Sequence, residues 1–318
     1  GSFLTEPLLS VKASGFFGRG YALPTRPNLD DLDAKGNPKP TKYPGITTVT
    51  SALDKGGVVQ WAVDLTAAYA VANAQDLAER DSDWGFKRLR FFHSRKPDYD
   101  SPETNINNYH VGVLGDLADQ GNIIHAAVEA FIKEDHFGFP EWTRWEQEEA
   151  FGCFLEWAEE FVDEFVFAEA TVFNSEAGYA GTGDVWAKMK DGKFLYIDVK
   201  SARLVHDSHV MQGAAIIRAD KQIIEHPDGV EHKGRFWMEV DAPKCDGAAI
   251  LQVRQRSIDG YGNEIPAFCK RTVIPDEEIE PAYDQFLGAL QVRKAQAKLR
   301  TVRNEAKNRE KEKAVEYF

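Results

Sequence analysis

Along residues 195–203, "LYIDVKSAR", three apolar side chains (Leu195, Ile197, Val199) alternate with Tyr196, Asp198 and Lys200. A period of two predicts a strand that buries its odd-numbered face and turns Asp198 and Lys200 the other way. The same period runs through "FVFAEATVFN" (165–174) and "AGTGDVWAKM" (180–189), and Asp191-Gly192 is a hairpin signal joining the latter to a strand over 193–201. Further strands are expected near 234–240, 247–256 and 267–273. Elsewhere the apolar spacing is helical. Val58, Trp61, Leu65 and Tyr69 predict an amphipathic helix over 58–80. Other helices are expected at about 115–135, 141–164 and 207–220, and a long charged one from 276. Residues 1–45 are rich in Pro and Gly and read as an irregular arm, and the polar stretch 97–112 reads as a loop. Four regions result: the arm 1–45, a helical region 46–164, an α/β core over 165–275, and a C-terminal helix 276–318. Helices followed by a strand meander, a helix and more strands predict one α/β domain with a helical N-terminal extension.

Composition narrows the class. The chain has 318 residues, 43 % hydrophobic and 12 % aromatic, which is enough for a substantial core. No apolar run approaches membrane-spanning length, and a cytoplasmic protein without membrane contact is expected. Three cysteines, Cys153, Cys245 and Cys269, lie far apart. This sparse count suits a reducing compartment and falls short of the four thiolates of an iron–sulfur cluster. The net charge of −13 argues mildly against a nucleic-acid partner, but its distribution matters more. Residues 281–318 hold nine basic and five acidic residues, +4 in sum, which leaves −17 for the remainder. A second basic stretch, "WGFKRLRFFHSRK" (84–96), interleaves Lys87, Arg88, Arg90, Arg95 and Lys96 with aromatic residues. Such a segment can grip single-stranded DNA, or it can be a helix with a solvated charged face. The C-terminal helix mixes signs and reads as a solvated or partner-binding helix rather than a DNA clamp.

An acid two residues before a lysine occurs five times: Asp33–Lys35, Asp191–Lys193, Asp198–Lys200, Glu231–Lys233 and Glu305–Lys307. Context singles out Asp198–Lys200. It ends an apolar alternating strand, and Asp184 precedes it on the neighbouring strand of the hairpin. The glycines of "YAGTGD" (179–184) permit close backbone approach there. Two carboxylates on adjacent strands can share a divalent metal through oxygen ligands, and a lysine on the same face can steady a phosphate or a water. Together they suit metal-assisted phosphodiester hydrolysis. The same residues also describe an Asp/Lys surface pair on an edge strand. Glu169 on the preceding strand could add an oxygen ligand or a supporting contact. His125 in "GNIIHAAVEAF" has Glu129 one turn later, and Gln212 lies early in the helix after the third strand. Each of these, taken singly, also has a structural reading.

The order His125, Glu169, Gly183-Asp184, Asp198-x-Lys200, Gln212 resembles the RecB-type branch of the PD-(D/E)XK nucleases, and within it the phage-encoded and CRISPR-associated exonucleases. "YPGITTVTSAL" (43–53) and the tryptophan of "VVQWAVDLTAAYA" (58–70) are similar to the helical front of phage members. The resemblance spans about residues 43–275. It implies a restriction-endonuclease-like core, a mixed central sheet flanked by helices. It implies Mg²⁺ or Mn²⁺ held by His125, Asp184, Asp198 and the Val199 carbonyl, with Lys200 as the catalytic lysine and Gln212 contacting DNA or organising the site. Ile216 stands where the family's helix motif has tyrosine, and the missing fourth cysteine marks the cluster-free phage type. The expected activity is a metal-dependent DNA exonuclease acting on linear DNA with a free end, in phage recombination, replication or repair. A structure-specific endonuclease of the same fold and a DNA-end-binding or assembly module without turnover are the alternatives. The C-terminal helix is the expected surface for a second copy or a recombination-protein partner.

Overall fold

The computed structural model describes residues 9–12, 19–53, 63–68, 71–72, 109–258 and 262–315. The chain divides into a large unit, residues 1–53 and 123–318, and a small one, residues 54–122. In the small unit residues 63–68 and 71–72 are helical, and so is 109–122, the first half of helix α2 (Tyr109–Ile132). The expected loop therefore gives way to helix by Tyr109. The basic stretch 84–96, with Lys87, Arg88, Arg90, Arg95 and Lys96, lies outside the described residues.

The large unit is built on a seven-stranded mixed sheet in the order β12-β9-β6-β5-β4-β7-β8. Its strands are β4 (Val162–Asn174), β5 (Tyr179–Met189), β6 (Phe194–Lys200), β7 (Lys221–His232), β8 (Arg235–Asp241), β9 (Gly247–Arg254) and β12 (Phe268–Val273). β6 and β9 run parallel; every other neighbouring pair is antiparallel. The Asp191-Gly192 turn forms as expected, with Gly192 at φ 87°, a left-handed conformation open to glycine without steric cost. β10 (Ser257–Ile258) and β11 (Glu264–Ile265) make a small separate hairpin.

Both faces of the sheet are covered, so β6 and β9 are buried through most of their length. On one face Ile197, Val199, Leu251 and Val253 pack against Ile124 and Val128 of α2 and Phe154 and Trp157 of α3 (Trp145–Phe161). On the other, Trp186, Tyr196 and Ile250 pack against Met211 and Ala214 of α4 (Asp207–Ile217) and Phe286 and Leu290 of α5 (Asp276–Val315). α5 buries Ile279, Ala282, Phe286, Ala289 and Leu290, one stripe at helical spacing, and is mostly exposed beyond it. No helix among the described residues is long and apolar enough to cross a membrane.

The expectation of an irregular arm over 1–45 is corrected. β1 (Ser10–Lys12), β2 (Arg19–Leu32) and β3 (Pro38–Pro44) form a three-stranded antiparallel sheet, followed by the short helix α1 (Ile46–Thr50). Tyr21 and Leu23 pack with Phe173, Ile223 and Trp237 of the main sheet. The prolines that suggested an arm sit where the ribbon is irregular: its register slips between Leu23 and Pro27, and Pro27 lies opposite Pro40. Edge and bulge positions tolerate a residue without a backbone N–H.

Candidate metal centre

β5 and β6 pair only as far as Val185 and Ile197. Beyond that point β6 continues along β9 to Lys200, paired with Gln252, while β5 continues along β4. The strands thus part, and the carboxylates of Asp184 and Asp198 stand at the fork. Where the ladder stops, the freed N–H of Val199 donates to Asp184 Oδ2 at 2.7 Å. A side-chain acceptor replaces the lost strand partner, so the acid is fixed by the same feature that opens the cleft. Val199 packs its side chain into the opposite core.

Asp198 is 3 % exposed. Its Oδ1 accepts hydrogen bonds from Lys200 Nζ at 2.8 Å and from the Tyr196 hydroxyl at 3.2 Å. Its Oδ2 is buried and has no hydrogen-bond partner among the described residues. Lys200 Nζ also lies 3.9 Å from Asp184 Oδ2. Burial opposes the charge on Lys200, but Asp198 and Asp184 outweigh it and raise its pKa, so the amine stays cationic. Burial raises the pKa of both aspartates, and the Lys200 charge counteracts it.

His125 reaches the fork from α2, with Nδ1 3.8 Å from Asp184 Oδ2. Burial, helped by the Lys200 charge, pushes its pKa down to about 4, against the opposing pull of the Asp198 charge. The imidazole is therefore neutral near pH 7, the form that binds metals. Glu169 arrives from β4 by a local device. It has φ 53°, a left-handed conformation uncommon for a non-glycine residue. It lies between the pairs Ala168–Val185 and Ala170–Gly183, opposite Asp184. A left-handed residue breaks the strand's alternation and re-aims the side chain. Ligand atoms of His125, Glu169 and Asp184 lie within 4.8 Å of one another. Burial and the Asp184 charge raise the Glu169 pKa to about 8.

The structure thus brings together His125, Glu169, Asp184, Asp198, Val199 and Lys200. Gln212 is nearby: it shares with Asp184, Asp198 and Lys200 the lining of a cavity of about 70 Å³, and its Nε2 donates to Thr50 Oγ1 at 3.4 Å. Glu129, one turn after His125, makes no hydrogen bond to the imidazole among the described residues. Its carboxylate pairs with Lys133 one turn on, at 2.5 Å, an i,i+4 ion pair that satisfies it locally. It acts on the site only as a nearby negative charge. Tyr196, by contrast, was missed as a site residue. Its hydroxyl fixes the Asp198 carboxylate, and its place two residues before Asp198 on the same face was the available signal.

The glycines before Asp184 are also explained. A Cβ on Gly183 would lie 2.3 Å from the Trp186 ring and 2.8 Å from the Tyr196 ring. Gly183→Ala should therefore destabilise the fold by roughly 1–3 kcal/mol through overpacking. Urea unfolding measures this, and an unchanged midpoint would show that the two rings move aside freely.

A hard-ion fit rests on the donors themselves. His125, Glu169 and Asp184 bring an imidazole and two carboxylates together, and Asp198, outside that group, has a buried oxygen with no hydrogen-bond partner among the described residues. Oxygen donors with one nitrogen suit Mg²⁺ or Mn²⁺. The side chains of His125 and Lys200 remain 26 % and 21 % exposed, so the site is reachable from solvent. Compared with protein-family models and with curated proteins, the chain matches none.

Proposed function

We propose that this chain is a divalent-metal-dependent deoxyribonuclease with a PD-(D/E)XK core of the RecB type, acting as an exonuclease on linear DNA. One observation carries the reading: Asp184, Asp198 and Lys200 meet at a fork between two strands, with His125 brought in from a helix about sixty residues upstream. An Asp/Lys surface pair would not bury Asp198 or leave one of its oxygens without a donor among the described residues.

In this reading Asp184, Asp198 and His125 hold Mg²⁺ or Mn²⁺, with Glu169 as a further donor and the Val199 carbonyl beside them. The ion, when bound, neutralises phosphate charge and makes water a better nucleophile. The chain's own groups do the rest. Lys200, kept cationic by the two aspartates, faces the reacting phosphate and stabilises the charge that develops on it. Tyr196 holds Asp198 in one orientation. Gln212 lines the cavity and in this reading would contact the DNA strand.

The test uses end-labelled linear DNA, nicked circles and closed circles, single- and double-stranded, with Mg²⁺ or Mn²⁺. Loss of linear substrates with closed circles untouched is expected. Cutting of closed circles would select the endonuclease alternative, and no cutting of any substrate with either ion would overturn the reading.

A further inference from the structure

Beyond Lys200 the chain leaves β6 as Ser201-Ala202-Arg203 and turns back over the sheet. Two side chains of β9 hold that turn. Gln252 Nε2 donates to the carbonyls of Ala202 and Arg203, each at 3.0 Å, and Arg254 donates from one terminal nitrogen to the Ser201 carbonyl at 2.9 Å. Gln252 and Arg254 alternate with Leu251 and Val253, which are buried against the α2/α3 side. They therefore share the sheet face of Asp198 and Lys200. Lys200 is in register with Gln252, and the strands are parallel. Arg254 thus lies about 7 Å further along the same face, on the next strand.

The Arg254 guanidinium is anchored at the Ser201 carbonyl, two residues before Arg203, so the two basic residues belong to one turn. Burial lowers the Arg254 pKa, and the charge of Arg203 lowers it further, so the guanidinium groups lie within electrostatic reach. Neither has a carboxylate partner among the described residues, whereas Lys200 is paired with both site acids. Two guanidinium groups on one turn, neither neutralised by a carboxylate among the described residues, make a local positive patch beside the site. Arg203 is exposed and Arg254 half-buried, so a ligand can reach both.

We propose that Arg203 and Arg254 form a phosphate subsite for the nucleic-acid strand, taking a phosphate adjacent to the one that faces Lys200. The proposal rests on the nuclease reading and adds the substrate's direction across the site: the strand runs from the fork past the end of β6 toward the end of β9. Paired guanidinium groups suit the geometry of a phosphate's oxygens, and in a chain of net charge −13 such a patch is where a polyanion gains local attraction.

The experiment measures binding of a short fluorescein-labelled single-stranded DNA by anisotropy across a salt series, with Ca²⁺ replacing Mg²⁺, in the full chain. Arg203→Ala with Arg254→Ala should weaken binding and make the log–log salt slope shallower by about 0.7 for each arginine. Cleavage in Mg²⁺ should show a raised KM with kcat little changed, the mark of a ground-state contact. Because Arg254 also supports the turn, Arg203→Glu is the second variant. Its side chain is exposed, so it should melt like wild type yet bind several-fold more weakly. Strands with and without a terminal phosphate separate the sources. An arginine contribution that vanishes with the terminal phosphate makes the ligand a strand end, and one that persists makes it an internal phosphodiester. If wild type binds and cuts DNA but both variants keep its affinity and salt slope, the subsite is overturned and the nuclease reading stands. If wild type neither binds nor cuts, both are overturned.

Discussion

Lys200→Ala, assayed well below its melting temperature with Mg²⁺ or Mn²⁺ in excess, should lower kcat by a hundredfold to a thousandfold or more while DNA affinity changes little. The magnitude is that of losing one preorganised donor aimed at charge developing in the transition state. A second effect has to be separated from it. Lys200 is the ion-pair partner of a carboxylate that is 3 % exposed, and removing one partner of a buried pair destabilises the fold by about 3–5 kcal/mol. A bound ion offsets part of that loss by supplying Asp198 with another cation, so melting is compared with and without it. A lysine that only neutralised Asp198 would give a lower melting temperature and an unchanged kcat under permissive conditions. Lys200→Arg makes the distinction sharper. It keeps the charge and thus most of the stability, but a planar guanidinium cannot occupy the position of a compact ammonium. A largely inactive but stable Lys200→Arg protein is the expected result. Full activity in either variant would remove Lys200 from the mechanism.

The parts of the site that obey strand alternation were legible in the sequence. The period of two through β5 and β6, with a hairpin turn at Asp191-Gly192, puts Asp184 and Asp198 on neighbouring strands without any structure, while the exact register comes only from the pairing of Val185 with Ile197. The flat alternation does not say that the ladder ends at Val185–Ile197, and that ending makes the fork. Glu169 was foreseen as a supporting residue, but a left-handed residue inside a strand has no signature in the pattern. Its sequence neighbours are ordinary strand formers. The α2 stripe predicted a helix, while the choice of face for His125 is set by how Ile124 and Val128 pack against the sheet.

β7 was missed for a different reason. Its "KQIIEHPDGVEH" carries a Pro-Asp-Gly turn signal in mid-strand, which argues locally for a loop. Tertiary pairing overrides it: the register with β8 slips between Glu225 and Val230, and the offending residues sit in the bulge. The β2–β3 ribbon was hidden likewise by its prolines. Arg254 drew no notice because a single arginine at the end of an apolar strand reads as a solvated terminus. Only the parallel register of β9 with β6 carries it to the face of Lys200.

Removing the metal should leave a protein whose stability falls as pH rises through the neutral range, and Asp184→Asn should reverse that cost while abolishing activity. Folding raises the Glu169 pKa to about 8 and raises those of Asp184 and Asp198. Each carboxyl then binds more protons folded than unfolded, so stability declines with pH until the folded pKa is passed. His125 works in the opposite sense. Its folded pKa of about 4 means that the unfolded chain binds the extra proton, so its contribution rises with pH up to its ordinary value near 6.5. Below about 6.5 the two slopes oppose each other. Between there and about 8 only the carboxyls act, and the net slope is downward. In EDTA the melting temperature should therefore drop across that window. Saturating Mn²⁺ should flatten or invert the slope, because deprotonated ligands are the ones that bind, and an ion at a hundred times its Kd adds about 2.7 kcal/mol. Asp184→Asn is the informative variant, since its amide oxygen can still accept the Val199 N–H while the negative charge is gone. The metal-free variant should melt no lower than wild type at pH 8, and higher if burial of the charge dominates. It should gain little from Mn²⁺ and hydrolyse no DNA. An ion-dependent stabilisation equal to wild type in Asp184→Asn, or DNA cleavage that persists in excess EDTA, would show that the fork is not a metal centre.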